Sequence, residues 1–376
     1  MEHVFSFADA LGPSKIVHLY NPTIGLKAVV AVDNIACGPA IGGIRMALDV
    51  STDEAFRLAR AMTLKNAAAG LSHGGGKSVI FADPKMPTAE KERLMRAFAC
   101  AIRDITEYIP GPDMGTDERC MAWIHDEIGR AVGLPLEIGG IPLDVIGATG
   151  FGLSVCIDNA RLFCGLELRN ARVVVQGFGA VGKHAARFLA AKGVVLVGAA
   201  DSQGTLFNPE GIDVARLIEL KDSGKSVLDY PTGDKLAQDA VLDLDCDIWI
   251  PAARPDVLRA DNASRLKAKL VAQGANIPCT LEAEQILHDR GVLVVPDFIA
   301  NAGGVICAAV EYHGGTQALA FQTIEEKLRV NTRLVLEEAA KTRQPPRQAA
   351  VALAERRVRT AMGYRRWSSI NSEDRD

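Results

Sequence analysis

The sequence predicts an α/β protein made of two domains and a C-terminal helical segment. Its length of 376 residues suits two domains at a typical size of about 150 residues each. From about Gly150 onward, short apolar strands alternate with helical stretches, which is typical of βαβ units in a parallel sheet. The composition, with 48% hydrophobic and 23% charged residues, excludes a disordered or fibrous chain.

The first domain is expected over residues 1–145 and mixes strands with helices. Ser51 and Glu54 have the spacing of a capping box, which predicts that a helix begins there. Three glycines before Lys77 predict a turn that leads into a strand. The predicted elements are strands over residues 26–32 and 78–81 and helices over about 51–70 and 88–107.

The second domain is expected over residues 146–325 as a doubly wound parallel sheet. Right-handed crossovers between successive strands place helices on both faces of such a sheet. Residues 326–376 are predicted to be helical with a break at Gln344, Pro345 and Pro346. A return of the last helix to the first domain is one possibility, which the sequence alone leaves open. The predicted strands span residues 171–176, 194–200, 247–250, 270–273 and 292–295.

A glycine-rich turn after the first of these strands predicts a dinucleotide site. Gly177 permits the tight turn, Gly179 lets the backbone approach a pyrophosphate, and Gly182 lets helix and strand pack closely. The helix that follows presents free amides and the positive end of its dipole to the phosphates. An ordinary strand-turn-helix loop is the alternative. The candidate cofactor residues of the turn are Gly177, Phe178, Gly179, Ala180, Val181 and Gly182.

Asp201 follows the next strand, 19 residues after Gly182, where an acidic side chain accepts hydrogen bonds from the ribose of the cofactor. A carboxylate at this position would repel a 2′-phosphate, so NAD is favoured over NADP. The neighbouring Ser202 keeps NADP open. Three later strands end in small or amide residues, which predicts a cleft for a flat ring at the carboxyl end of the sheet. These residues include Ala252, Ala253, Asn276 and Asn301.

Two lysines and one aspartate are candidate catalytic or substrate-binding residues. On a helical projection Lys65 lies on an apolar stripe with Met62, so it either binds a carboxylate or extends its stem to the helix edge. Lys77 follows three residues that lack side chains, and burial together with a nearby cation would lower its pKa. Asp113 lies in a glycine-rich turn and is either a proton shuttle or an ordinary turn residue.

Charge, cysteine and histidine content exclude several other classes of protein. The formal net charge of −4 predicts no nucleic-acid partner, and no apolar run is long enough to cross a bilayer. Eight scattered cysteines without a C-x-x-C pair, together with an N-terminus that lacks a signal sequence, predict a cytoplasmic protein with reduced thiols. The seven histidines have no metal-binding spacing, so no metal is expected.

Five segments together resemble the glutamate/leucine/phenylalanine/valine dehydrogenase family, and the similarity covers most of the chain, from about Gly25 to Gly304. The segments are GPAIGGIRM (38–46), AMTLKNAAAGLSHGGGKSVI (61–80), GPDMGTDERCMAW (111–123), VVVQGFGAVG (173–182) and PDFIANAGGV (296–305).

The resemblance implies reversible NAD(P)-dependent deamination of an L-amino acid to a 2-oxo acid and ammonia by a homo-oligomer. It implies an N-terminal substrate and oligomerisation domain joined to a Rossmann domain. Lys65 would bind the substrate carboxylate, Lys77 would be the general acid/base, and Asp113 would move protons to and from the amine. Asn276 and Asn301 would contact nicotinamide and substrate. Further expected contacts are Gly42, Gly43 and Met62 for the substrate and Thr149 for the cofactor.

The side chain of the substrate is expected to be apolar, as in leucine, valine, isoleucine or phenylalanine. Glutamate-specific members of the family resemble GPYKGGLRF in the first segment, whereas this chain has Ile41 in place of the lysine. Those members also have a serine seven residues after the asparagine of NAGG, where this chain has Ala308. A carboxylate facing two apolar residues would lack a partner. Glutamate dehydrogenase is the alternative, because GTDERCMAW and residues 148–152 resemble glutamate enzymes. A non-catalytic NAD-binding regulatory protein is a remote alternative.

Overall fold

The computed structural model describes residues 5–365, which separate into two compact units. The first unit extends to Val132 and resumes at Ala352, and the second unit is Gly133–Val351. None of the helices within residues 5–365 combines the length and the apolar character that crossing a membrane requires.

The first unit is a five-stranded mixed sheet with helices packed against it. The strand order is β1-β2-β4-β3-β5, in which β3 is parallel to both of its neighbours and β2 is antiparallel to both of its own. The strands are β1 (Lys15–Asn21), β2 (Leu26–Asn34), β3 (Ala40–Ala47), β4 (Gly74–Phe81) and β5 (Tyr108–Pro112). The helices are α1 (Thr52–Ala68), α2 (Thr88–Ala101) and α3 (Glu118–Ile128).

Two predictions for this unit need correction. The three glycines before Lys77 form the start of β4 and are not a turn. A Cβ on Gly75 would lie 2.0 Å from the backbone nitrogen of Thr63, so glycine there lets α1 pack directly on the strand backbone. The second helix ends at Ala101 rather than near Glu107, and Arg130 donates hydrogen bonds to the carbonyl groups of the turn that follows.

The second unit contains a seven-stranded sheet of order β12-β11-β10-β6-β7-β8-β9, in which the first five strands are parallel. The strands are β6 (Arg172–Gln176), β7 (Val195–Ala200), β8 (Thr205–Phe207), β9 (Asp234–Leu236), β10 (Ile248–Pro251), β11 (Leu270–Ala272) and β12 (Leu293–Val295). The helices are α4 (Leu143–Ile146), α5 (Ala148–Ala160), α6 (Ala180–Ala190), α7 (Val214–Asp222), α8 (Leu281–Asp289), α9 (Asp297–Ala300), α10 (Gly303–Tyr312) and α11 (Gln317–Thr342).

The parallel part of this sheet is doubly wound, as predicted. The chain runs from β6 to its neighbour β7 and later returns to β10 on the other side of β6, so the topological switch point lies between β6 and β10. Trp249 and Val174 are fully buried on these two strands in a large apolar cluster. All five predicted strands are present to within one residue at each end.

The last helix, α12 (Pro346–Met362), begins in the second unit and ends in the first. The predicted break before it is present, and Arg343 ends α11 with a φ of +55°. Pro346 occupies the first position of α12, where its missing N–H costs no hydrogen bond. Further along, Arg357 donates to the carbonyl oxygens of Ala67 and Ala68 at the end of α1.

Candidate active site

The buried Lys77 and the half-buried Asp113 form an ion pair across one strand of the first unit. Lys77 lies on β4 and Asp113 directly follows β5, with β3 running between these two strands. The Lys77 Nζ is 2.6 Å from the Asp113 Oδ2. Gly43 on β3 lies between them, and a Cβ there would be 2.8 Å from the Cβ of Asp113 and 3.2 Å from the Lys77 Nζ. The missing side chain at Gly43 therefore leaves room for the pair.

Arg45 is a second cation at Asp113 that the sequence argument missed. Its Nε lies 3.0 Å from the same Asp113 oxygen, and its terminal nitrogen lies 2.6 Å from the Glu54 carboxylate. Because side chains two residues apart in a strand share a face, the position of Gly43 was a signal that Arg45 faces the same side of β3. The site therefore holds two cations and two carboxylates.

Burial lowers the pKa of Lys77 below its ordinary value, and the nearby Arg45 cation lowers it further, although Asp113 opposes both. For Asp113, burial raises the pKa, but Lys77 and Arg45 more than offset this, so that its net shift is downward. The lowered pKa of Lys77 agrees in direction with the sequence argument, with Arg45 as a cation that contributes. A buried lysine of this kind loses its proton more readily than a lysine in water.

Ile41 and Gly42 are buried in β3 next to this pair. A Cβ on Gly42 would lie 1.5 Å from the carbonyl oxygen of Gly76, so only glycine fits at this position. The buried Tyr108 donates its hydroxyl hydrogen to the carbonyl oxygen of Gly42 over 2.9 Å. The hydroxyl and the close backbone contact fix the strand that carries Ile41.

Lys65 and Met62 are half-buried in the last two turns of α1, off the main buried face of that helix. The sequence argument placed Lys65 on the apolar stripe, which is wrong. The buried face consists mainly of small residues such as Ala55, Ala59 and Thr63, and its centre lies roughly a third of a turn from Lys65. Small residues there let α1 approach β4, and this face was hidden because alanine and threonine carry little hydrophobic signal.

The glycine turn of the second unit has the geometry that the motif predicts. Gly177 has a φ of +96°, and a Cβ on it would lie 2.6 Å from the Cβ of Ala253, which follows β10 at the switch point. A Cβ on Gly182 would lie 2.0 Å from the carbonyl oxygen of Gly177. At Gly179, the N-cap of α6, a Cβ would meet nothing within 4 Å.

The other residues of this turn differ in their exposure. Ala180, in the first turn of α6, is exposed and Val181 is half-buried, so the amides at the start of this helix face open space. Phe178 is 1% exposed, and its backbone N–H donates to the carbonyl oxygen of Ala200, so its ring belongs to the core and its amide is already bonded.

Asp201 is already bonded to protein groups, and the ribose contact predicted for it stays a prediction. Its carboxylate pairs with the Lys221 Nζ at 2.7 Å and accepts hydrogen bonds from the Ser226 hydroxyl and from the backbone amides of Gln203 and Val227. Burial raises the pKa of Asp201, but Lys221 and the backbone amides lower it by more, so the net shift is downward. A carboxylate has about four acceptor positions, so a ribose hydroxyl would have to displace one of these donors. Ser202 next to it is exposed.

Asn276, in the loop after β11, and Asn301, at the end of α9, come together. The Asn301 Nδ2 donates to the Asn276 Oδ1 over 2.9 Å, and within residues 5–365 the buried Asn301 Oδ1 has no hydrogen-bond partner. Thr149, at the start of α5, lies next to the start of α10, where a Cβ on Gly304 would be 3.0 Å from its hydroxyl oxygen. The half-buried Ala252 follows β10, and the buried Ala308 lies on α10.

No group of three or more His, Cys, Asp or Glu side chains within residues 5–365 is arranged to hold a metal ion.

Two family models match the chain. "Glu/Leu/Phe/Val dehydrogenase, dimerisation domain" matches residues 17–130, and "Glutamate/Leucine/Phenylalanine/Valine dehydrogenase" matches residues 139–366. The chain belongs to this family. The family consists of amino acid dehydrogenases, enzymes that act on the CH–NH₂ group of a donor with NAD or NADP, and the match confirms the expected resemblance and fold class.

Several members of the family are similar over nearly the whole chain. A glutamate dehydrogenase of Aeropyrum pernix is 39% identical, in a match that covers 89% of this chain and 85% of that protein. The catabolic NAD-specific glutamate dehydrogenase RocG of Bacillus subtilis is 36% identical (89% of this chain, 83% of that protein). An NADP-specific glutamate dehydrogenase of Saccharolobus shibatae is 37% identical (88% and 83%).

Among solved structures, the hetero-hexameric glutamate dehydrogenase of Thermus thermophilus in its Leu-bound form superposes with a TM-score of 0.82 at 32% identity. The match covers 93% of this chain and 89% of that one. The two-unit architecture of this chain is therefore that of a family dehydrogenase.

Proposed function

We propose that this dehydrogenase catalyses the reversible, NAD-dependent oxidative deamination of an L-amino acid to its 2-oxo acid and ammonia. The observation that carries the proposal is the ion pair of the buried Lys77 with Asp113, 2.6 Å apart, in which burial lowers the pKa of the lysine. Deamination needs a base that is neutral near physiological pH and a carboxylate that exchanges protons with the amine. In the proposal Lys77, whose pKa is lowered, is the base, and Asp113 is the carboxylate.

In this proposal each residue near the pair has a separate task. Loss of the Cα hydrogen as hydride leaves an imine carbon, and neutral Lys77 takes a proton from the water that attacks this carbon. Asp113 receives the proton of the amine and returns it to the nitrogen, which leaves as ammonia. Arg45 holds the Asp113 carboxylate in place and favours its charged form. Lys65 binds the carboxylate of the amino acid. Gly42 and Gly43 let the β4 backbone and the Lys77–Asp113 pair approach β3 next to Ile41, which places the pair at the proposed substrate site.

The second unit fits a dinucleotide. Gly179 has open space where a pyrophosphate would approach, Gly177 and Gly182 admit no side chain, and the start of α6 offers amides to the phosphates. The unpartnered Asn301 Oδ1 is a buried acceptor that suits an amide donor of the cofactor. When bound, NAD supplies the hydride acceptor. NAD-specific and NADP-specific relatives both exist, and NAD is proposed because the Asp201 carboxylate, next to Ser202, would repel a 2′-phosphate.

The side chain of the substrate has two candidates. The relatives described above are named glutamate dehydrogenases, and this favours glutamate. Ile41 and Ala308 favour an apolar amino acid, since both are buried and neither can pair with a side-chain carboxylate. We propose an apolar amino acid as the substrate, because a side-chain carboxylate that is left unpaired in the pocket costs free energy in this chain, whatever substrate its relatives are named for.

Assembly and compartment complete the proposal. A homo-oligomer built through the first unit is proposed because the matched model for residues 17–130 is a dimerisation domain. The eight cysteines are free thiols in the structure, which suits the reducing conditions of the cytoplasm.

Formation of NADH from leucine, valine, isoleucine, phenylalanine and glutamate tests the activity and the substrate together. Turnover of apolar amino acids supports the proposal, turnover of glutamate alone overturns the substrate class, and no turnover of any amino acid overturns the activity.

A second experiment tests the role of Lys77. The Lys77→Ala variant should lose activity by a factor on the order of 10² to 10⁴ while it still binds NADH. Lys192→Ala is the control, because Lys192 pairs with Asp158 in the second unit, and its loss should leave the rate unchanged. Full activity in Lys77→Ala would remove this residue from the mechanism.

A further inference from the structure

A buried ion network lies beside the two asparagines of the second unit. Arg347, at the start of α12, donates to both oxygens of Glu284 at 2.7 and 2.8 Å. Its terminal nitrogen also donates to the Asp297 Oδ1 at 2.9 Å and to the Gln273 Oε1 at 3.0 Å. The two carboxylates are at most 9% exposed, and the arginine side chain is 16% exposed. One guanidinium thus joins the end of β11, α8 and α9.

Asp297 extends this network to the segment that carries Asn276. Its second oxygen, Oδ2, accepts the backbone N–H of Ile277 over 2.8 Å. Ile277 has a φ of +49°, a conformation that a β-branched residue rarely adopts and that costs roughly 1–3 kcal/mol. Such a conformation persists only where its surroundings hold it, and the Asp297 carboxylate is a contact that does so. Asn276 is the residue immediately before Ile277.

The same aspartate also holds Asn301. The backbone N–H of Asn301 donates to the carbonyl oxygen of Asp297 over 2.8 Å. This is the backbone bond that ends α9, and the side chains of Asn301 and Asn276 are hydrogen-bonded to each other, so the Asp297 carboxylate reaches the asparagine pair through Ile277. Asp297 is held in turn by Arg347 on one side and by Gln273, which accepts its backbone N–H over 3.0 Å, on the other.

We propose that Arg347 is a positioning residue for the asparagine pair, acting through Asp297. This inference rests on the proposed function, in which Asn276 and Asn301 contact the cofactor. Without the guanidinium, Glu284 and Asp297 would be two buried carboxylates that share no cation, and their repulsion would move Asp297. Ile277 would then lose its acceptor and relax to a negative φ, which turns Asn276 away from Asn301. The last helix of the chain therefore shapes the cofactor site although Arg347 does not contact the asparagine pair.

The test is the Arg347→Lys variant, which keeps one positive charge but cannot donate to both carboxylates in a planar fork. Three quantities are measured: the NADH dissociation constant by fluorescence, hydrogen exchange of the peptide spanning residues 273–278, and the melting temperature. We expect a dissociation constant raised about tenfold and a rate of exchange raised by a similar factor. Arg290→Lys is the matched control, because Arg290 donates to the carbonyl oxygens of Ala263 and Leu266 in the same unit.

Each outcome decides the question. If Arg347→Lys lowers the melting temperature as Arg290→Lys does, but binds NADH and exchanges as the wild type does, Arg347 is only structural and the inference is overturned. Should Arg347→Lys not fold, the double variant Arg347→Gln, Asp297→Asn leaves the formal charge of the network unchanged and removes the ion pair. That variant should show the same loss of NADH affinity, and wild-type affinity in it overturns the inference.

A failure of the proposed function gives a different result. It would show as a wild-type protein that binds no NADH, whereas the exchange measurement on residues 273–278 still tests whether Arg347 fixes this segment.

Discussion

Gly179 and Gly182 lie in one turn, but alanine at the two positions should have different effects. At Gly179 a Cβ meets nothing within 4 Å, and the φ of −93° suits any residue, so the fold has room for alanine. The loss of a glycine N-cap costs at most about 1 kcal/mol. At Gly182 a Cβ lies 2.0 Å from the carbonyl oxygen of Gly177, well inside the 3.4 Å at which ordinary contacts begin. Relief requires helix and strand to move apart by about 1 Å or more, at a cost of roughly 3 kcal/mol.

Denaturant unfolding and NADH titration separate the two effects. Gly179→Ala should unfold almost as the wild type does, but its methyl group occupies the space where a pyrophosphate would approach, so the NADH dissociation constant should rise at least about tenfold, equivalent to 1.4 kcal/mol. Gly182→Ala should lose both stability and binding. If Gly179→Ala binds NADH with unchanged affinity, the open space at this helix end does not hold the pyrophosphate, and the assignment of the cofactor site is refuted.

Two further predictions concern the first unit, and a third concerns a buried acid of the second unit. Asp113→Asn removes the carboxylate that raises the pKa of Lys77, so the rising limb of the pH–rate profile for deamination should move to lower pH while kcat falls; an unmoved limb contradicts the pairing. Ile41→Lys should raise the ratio of kcat/KM for glutamate over leucine by about 10-fold to 100-fold, because a charge-assisted hydrogen bond to the side-chain carboxylate contributes about 1.5–3 kcal/mol. A wild-type enzyme that already prefers glutamate would contradict this reasoning. Glu311→Ala leaves the backbone amides of Leu134 and Ile141 without their acceptor, so the free energy of unfolding should fall by about 2–6 kcal/mol, and a loss below 1 kcal/mol, within the range of surface substitutions, would show that water replaces the carboxylate.

The sequence predicted the second unit better than the first. Continuous apolar runs mark β6, β7 and β10, because strands buried on both faces need apolar residues throughout. The strand β3 was missed, since Gly42 and Gly43 interrupt the alternation on which strand prediction depends. Those glycines are there because the backbone of β4 and the Lys77 side chain occupy the space that their side chains would fill. The residues that make the site possible therefore removed the signal for the strand that carries them.

The same reason explains why Arg45 was missed at a site where Lys77 and Asp113 were found. Lys77 and Asp113 were found from the glycines near them in sequence. Arg45 is also two residues from a glycine, but its contact with Asp113 depends on β3 lying next to β5 in the sheet, a pairing between segments far apart in the chain. Composition and spacing carry no information on such a pairing until the strand order is known.

Asp201 shows the limit of arguments from spacing more sharply. The distance from the glycine turn places an acidic residue correctly at the end of β7, and the structure has it there. Spacing says nothing about the other donors that reach the carboxylate, and here Lys221, Ser226 and two backbone amides occupy its acceptor positions. An acid bonded in this way holds the segment around Val227 in place. A ribose hydroxyl can donate to it only where one of the present donors is displaced. Asp201→Asn would therefore report on the stability of this segment first and on cofactor choice second. The preference for NAD over NADP has to be argued from the charges around Ser202, among which Lys221 is a cation already paired with Asp201.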